Sequence, residues 1–237
     1  MAQQAAPVYH SAAAARTTPE ADSCGQVREL EFIALSGTPF TVARRMQQAV
    51  EVSTPEYWAP DAVHLFVHQR FLEFQATKPP PRTVAIPQKS VVISTLRSAV
   101  GLPYVWGGNL RQGVEGKYKG LDCSGLLYEA TNGFTLRNTA DLVSFGAAVP
   151  VAGMTADQIA AGLHPLDLLV WKGHVIIVVD RETAIESALH CGQPGQGGVV
   201  ATPLKKRLQE LMKTRTPADR WPEGAAKAAL FVVRRWI

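Results

Sequence analysis

The stretch Gly120-Leu121-Asp122-Cys123-Ser124-Gly125-Leu126-Leu127-Tyr128-Glu129-Ala130 decides how the second half of this chain folds. Asp122 is a good N-cap, Leu126, Leu127 and Ala130 supply an apolar face, and Asn132-Gly133 is a terminator. Together they read as a short helix that begins at the cysteine. A thiol in the first turn of a helix lies beside unpaired backbone N–H groups and the positive end of the helix dipole, and both favour thiolate over thiol. Cys123 is therefore the candidate nucleophile.

A thiolate needs a base, and Gly173-His174 opens the apolar run Val175 to Val179. His174 is thus expected at the rim of a buried strand, where an imidazole can meet a helix-borne thiol. Segments 167–171, 174–179 and 183–189 read as successive strands joined by short turns. Upstream, Ser90 is expected to cap a helix bearing Val92, Leu96 and Val100 and ended by Gly101, and a second helix is expected around 155–161. Helices followed by antiparallel strands indicate an α+β domain. A third group should orient the imidazole. If Asp180 to Glu182 form the turn, Val179 pairs with Thr183 and His174 faces Ala188, with Glu186 and His190 as its diagonal neighbours. The spacing leaves both open.

In the first half, Phe40 and Val42 alternate with Thr41 and Ala43, Val50 and Val52 with Glu51 and Ser53, and Val63, Leu65 and Val67 with His64, Phe66 and His68, which predicts short strands in a small β-barrel. Residues 1–25, rich in Ala and Gln, are expected to be a disordered tail. Lys78-Pro79-Pro80-Pro81-Arg82 suits a stiff spacer. The expected organisation is a tail over 1–25, a barrel over 26–77, a Pro-rich linker over 78–90 and a catalytic domain over 91–237.

Composition narrows the function classes. The chain has 237 residues, 46% of them hydrophobic, 19% charged, with a net charge of +4. No apolar run is long enough to cross a bilayer, so a globular domain pair without a membrane span is expected. The basic stretch Lys205, Lys206, Arg207, Lys213 and Arg215 reads as a solvated helix face, and it lacks the interleaved aromatics of a nucleic-acid site. Cys24, Cys123 and Cys191 are an odd number without a C-x-x-C pair, so no disulfide framework and no metal or other cofactor is expected. A zinc set of His174, His190 and Cys191 is disfavoured, because adjacent strand residues point to opposite sides. The first twenty-five residues hold no apolar leader core. The expectation is a cytoplasmic protein if this start is native, and a periplasmic or cell-envelope one if a leader was removed. The oligomeric state is left open.

Three blocks in order, Tyr104-Val105-Trp106-Gly107-Gly108, Leu121-Asp122-Cys123-Ser124-Gly125 and Gly173-His174-Val175, resemble the NlpC family of papain-like cell-wall cysteine peptidases. The resemblance covers roughly residues 91–237 and implies a papain-like catalytic domain. It implies hydrolysis of the γ-D-glutamyl to meso-diaminopimelate bond in peptidoglycan stem peptides through an acyl-enzyme. Members carry the orienting residue, His or at times a carboxylate, twelve positions after the base, which selects Glu186 and keeps His190 as the alternative. The resemblance places Tyr104 beside the thiol as an oxyanion donor, and Asp122 and Ser124 around the free amino end of the peptide, with Thr139 near the substrate. The N-terminal unit is similar to the bacterial SH3-like domains that precede such peptidases. There Tyr57 and Trp58 flank a Pro-bounded loop, and two readings stand open for them, one wall of the groove or an amphipathic aromatic edge covering the barrel.

Overall fold

The computed structural model describes residues 1–17, 19–59, 63–77, 79–192, 197–224 and 229–237. The described strands form a five-stranded sheet, a seven-stranded sheet and a two-stranded ladder, and the first sheet begins near the first residues. Strand β1 (Ala6–Tyr9) and helix α1 (Ala12–Arg16) precede β2 (Leu30–Ala34), β3 (Thr41–Arg45), β4 (Ala49–Ser53) and β5 (Leu65–His68). The five-stranded sheet runs β2-β1-β5-β4-β3, so β1 lies inside it, paired on both sides. The disordered tail over 1–25 is therefore corrected. Ala6, Val8 and Tyr9 are buried, Ser11 Oγ caps α1 by accepting from Ala14 N at 3.1 Å, and Val8 joins the core of Phe32, Val50, Leu65 and Val67. Small residues and Pro7 hide the period-2 pattern of so short a strand.

After a single 3-10 turn (Gln69–Phe71), the described residues form no further helix or strand until α2 (Lys89–Ser98), with Lys78 of the expected linker outside the described residues. Arg82 fastens this crossing: it donates to Glu56 at 3.1 Å, to Tyr128 Oη at 3.2 Å and to the carbonyl of Asn132 at 3.1 Å. The N-cap of α2 is Gln88, which makes no side-chain cap bond, so Ser90 lies inside the helix rather than at its start.

After α2 come a two-stranded ladder of β6 (Asn109–Leu110) and β7 (Gly120–Leu121), then α3 (Cys123–Ala130), α4 (Thr139–Leu142), β8 (Ala147–Val149) and α5 (Ala156–Gly162). The remaining elements are β9 (Leu168–Trp171), β10 (His174–Val178), β11 (Thr183–Leu189), β12 (Gly197–Pro203), α6 (Leu204–Leu211), β13 (Thr216–Ala218) and β14 (Leu230–Arg235). The order is β12-β11-β10-β9-β14-β13, with β8 on β14, and only β13 with β14 is parallel. This is the expected α+β class.

The apolar run after His174 is explained by two covered faces. Val175 and Ile177 pack with Val92, Leu96, Leu126 and Leu127 of α2 and α3, while Ile176 and Val178 pack with Ile159, Leu204 and Leu208 of α5 and α6. A strand buried on both sides has no polar alternation. The β10–β11 turn has the register the sequence predicts: Val178 pairs with Ala184, and Val179 N donates to Thr183 O at 3.0 Å.

Candidate active site

Helix α3 delivers the thiol. Asp122 is its N-cap, accepting from Gly125 N at 2.6 Å, and Cys123 is the first helical residue. Its start is held close against the chain before it: Asp122 N donates to Gly108 O at 2.8 Å, and a Cβ on Gly125 would collide with that same carbonyl. Gly107, at φ +69°, passes so near Leu30 of the N-terminal sheet that a Cβ would meet the Leu30 carbonyl oxygen at 2.5 Å. The glycines in both motif blocks are thus packing requirements of backbone against backbone.

The imidazole lies between thiol and carboxylate. His174 Nε2 is 2.6 Å from Glu186 Oε2, the Cys123 side chain adjoins the ring closely enough to raise its pKa, and Cys123 Sγ donates to the carbonyl of Gly173 at 3.9 Å. With Nε2–H given to the carboxylate, Nδ1 is the nitrogen left for the sulfur. Burial works to lower the His174 pKa, but the hydrogen bonds and charges of Cys123 and Glu186 outweigh it and raise the pKa to about 9. Burial works to raise that of Glu186, and His174 and Arg207 outweigh it, holding the carboxylate at about 2. The arrangement therefore favours a protonated imidazole beside Cys123, with an ionised carboxylate behind it. Trp171 covers the imidazole, ring centroids 5.1 Å apart, and the Arg215 guanidinium lies 4.5 Å above Trp171.

Of the two candidates for the third position, the structure brings Glu186 to His174. His190 lies exposed past the end of β11, without a hydrogen bond to the imidazole among the described residues. Cys191 is bonded to Cys24, a single bond where no disulfide framework is expected, and Cys123 is the free cysteine. The Gly-rich stretch after Cys191 lies partly outside the described residues, at 193–196.

A cleft of about 430 Å³ opens over the thiol, lined among others by Glu31, Tyr57, Tyr104, Trp106, Thr139 and Lys172. The segment before Tyr104 runs beside β12, with Tyr104 N on Gly197 O at 3.3 Å, and burial together with Asp122 and Cys123 raises the phenol pKa, so the hydroxyl keeps its proton. Thr139 Oγ1 accepts from Gly173 N at 2.9 Å and so fixes the turn that precedes His174. Asp122 and Ser124 line the cleft, yet both are largely buried and engaged by Arg137. Its Nη2 meets Asp122 Oδ2 at 2.6 Å and its Nη1 meets Ser124 Oγ at 2.8 Å. Tyr57 lines the cleft, whereas Trp58 is 61% exposed and is not among the residues lining it.

Sequence reasoning misses Arg137, Glu31 and Arg207. Glu31, on β2, accepts from Tyr57 Oη at 2.6 Å and contacts His10 Nδ1 at 2.8 Å, so a carboxylate stands in the cleft wall. Arg207 is no part of a solvated face: it donates to both oxygens of Glu186, its Nη2 at 3.0 Å from Oε2. A signal for it exists in the chain, since it stands three residues after Leu204 and four before Leu211, both buried, which is the inward stripe of α6. Lys205 and Lys206 are exposed as expected.

The sequence matches no family model and no curated protein. Among solved structures, the chain is similar to a NlpC/P60 family protein from Bacillus cereus at 16% identity and TM-score 0.41, covering 100% of this chain and 62% of that one. It is similar to the P60 domain of an antigen from M. avium subspecies paratuberculosis at 26% identity and TM-score 0.36, covering 48% of this chain and 84% of that one. It is also similar to RipD from Mycobacterium tuberculosis, described as a non-catalytic NlpC/p60 domain protein adapted to peptidoglycan binding, at 21% identity and TM-score 0.34, covering 49% of this chain and 95% of that one. The chain thus spans 62% of the length of the Bacillus cereus protein.

Proposed function

We propose that this protein is a cysteine peptidase that cleaves peptidoglycan stem peptides between γ-D-glutamate and meso-diaminopimelate. The observation that carries the reading is the relay of Cys123 at a helix start, His174, and Glu186 at 2.6 Å from the imidazole. The Cys123 thiolate attacks the γ-carbonyl carbon, and the Tyr104 hydroxyl is suited to donate to the developing oxyanion. His174 passes its proton to the leaving amine as the C–N bond breaks, leaving a thioester. Water then attacks the thioester carbon with His174 taking its proton, and the C–S bond breaks to release the acid product and return the thiolate. Glu186 accepts from Nε2 throughout and holds the ring.

Substrate choice is read from the cleft. Asp122 is committed to Arg137, so Glu31 is the carboxylate better placed to meet a free ammonium group, with Tyr57 beside it. This supports peptides that begin at L-Ala rather than peptides still joined to glycan. The Cys24–Cys191 disulfide supports an oxidising compartment, the cell envelope or beyond it.

Incubation with purified tri- and tetrapeptide stems tests the reading. Mass spectrometry should show release of L-Ala-D-Glu, and Cys123→Ala should abolish it. Intact peptides after incubation with folded protein of titratable thiol would overturn it. A wall-binding protein without turnover is the rival, and it would sediment with insoluble sacculi while releasing no fragments.

A further inference from the structure

A carboxylate in the third position creates a problem that a neutral side chain there does not. Glu186 is 4% exposed, and its natural counter-charge, the imidazolium of His174, is lost each time His174 gives its proton away. A buried carboxylate left without a partner is costly, and the proton would be held back on the imidazole. The chain supplies a second cation. Arg207 of α6 places Nε on Oε1 of Glu186 and Nη2 on Oε2, at 3.0 Å, so Oε2 is shared between guanidinium and imidazole. The face of β11 that carries Ala184 and Glu186 is the face α6 covers, through Leu204 and Leu208. Arginine is further suited to this place because its planar fork grips both oxygens and cannot lose its proton.

We propose that Arg207 is a positioning residue of the relay: it clamps Glu186 and keeps that carboxylate charge-balanced in the steps where His174 is neutral. This rests on the reading of Cys123 and His174 as nucleophile and base. The sign of its effect on His174 follows from its charge. Glu186 raises the affinity of the imidazole for its proton, while the nearby guanidinium, a like charge to imidazolium, restrains that rise. With Arg207 gone, His174 holds its proton too tightly and turnover falls, although the ring keeps its carboxylate. Loss of Glu186 moves the imidazole the opposite way.

The test uses the rate of Cys123 alkylation by iodoacetamide across pH, which needs no peptide substrate and reports the thiolate–imidazolium pair directly. Cys24 and Cys191 are disulfide-bonded, so Cys123 is the reacting thiol. In Arg207→Gln the step assigned to His174 deprotonation should move up by roughly half to one pH unit. Arg207→Lys, which retains the charge but not the fork, should return it to the wild-type position. Stem-peptide kcat/KM should fall at least about 10-fold in Arg207→Gln, and should fall no further when that change is added to Glu186→Gln. Rates are normalised to folded protein by near-UV circular dichroism. An alkylation profile in Arg207→Gln that stays within about 0.2 pH unit of wild type, or moves down, overturns the proposal even if turnover drops. A protein with the upward step that cleaves no stem peptide would keep Arg207 in this role and overturn the substrate assignment instead.

Discussion

At the scale of single residues, the chemistry depends on opposed shifts in a touching pair. His174 keeps its proton up to about 9 against an ordinary value near 6.5, and Glu186 stays ionised down to about 2 against an ordinary value near 4.3. The raised imidazole contributes stability that is complete below about 6.5 and is lost as pH rises through about 9. The lowered carboxylate contributes stability that is complete above about 4.3 and is lost as pH falls toward about 2. Activity through an imidazolium–thiolate pair should follow the first of these, with an alkaline limb near pH 9. Glu186→Gln removes the charge that holds the proton, so the limb should move below its wild-type position and kcat should fall by about 10²-fold or more. A pH profile of kcat/KM checks both, and a Glu186→Gln enzyme with an unmoved limb would remove Glu186 from the relay. His190→Ala, at an exposed site, should leave the profile unchanged.

At the scale of elements, the start of α3 is set by contact with Gly108, and Gly125 is where that contact is closest. A Cβ there would land on the Gly108 carbonyl oxygen, part of a backbone that also accepts from Asp122 N at 2.8 Å. Gly125→Ala should therefore push the helix start outward. We expect a loss of about 1–3 kcal/mol in urea denaturation and at least about a 10-fold loss in kcat/KM, because the displaced turn carries the thiol. A Gly125→Ala enzyme with wild-type stability and turnover would show that the helix start is not held there. The same contrast between local and tertiary causes separates what the sequence shows from what it hides. Asp122 as cap, the strand after Gly173 and the β10–β11 register follow from neighbours in the chain, whereas that register leaves Glu186 and His190 both open and the fold brings Glu186 to the imidazole. Strand β1 escapes because four residues with a proline carry little pattern, and it is recognisable only by its pairing with β2 and β5. Arg137 and Glu31 escape because their partners, Asp122 and Tyr57, are reached only through the fold. Arg207 is legible on the Leu204–Leu211 stripe of α6, but the basic residues around it mask that position.

At the scale of the whole molecule, the cleft is assembled from both sheets, so whatever joins them also shapes the site. Asn109 of β6 exchanges hydrogen bonds with the backbone of Ile33 in β2, at 2.8 Å each way, and Arg82 ties Glu56 to Tyr128. The Cys24–Cys191 bond adds a covalent tie, 167 residues apart in sequence, between the turn before β2 and the end of β11. That turn also supports the cleft. Asp22 Oδ1 accepts from Cys24 N and Gln26 N, each at 2.8 Å, and the Gln26 side chain accepts from Trp106 N at 2.8 Å. Arg28 then lies 4.7 Å over the Trp106 ring, and Trp106 lines the cleft. Opening the bond frees a long loop in the unfolded chain and unpins the support of Trp106 in the folded one. The double replacement Cys24→Ser with Cys191→Ser should cost about 2–4 kcal/mol in urea denaturation. It should raise KM for stem peptides while leaving kcat near the wild-type value, since the relay of Cys123, His174 and Glu186 lies on other contacts. A thiol reagent should count a single reactive sulfur in the unfolded, unreduced wild-type protein, that of Cys123. Three reactive sulfurs there, or a double variant as stable as wild type with the same KM, would show that the bond neither forms in solution nor braces the cleft.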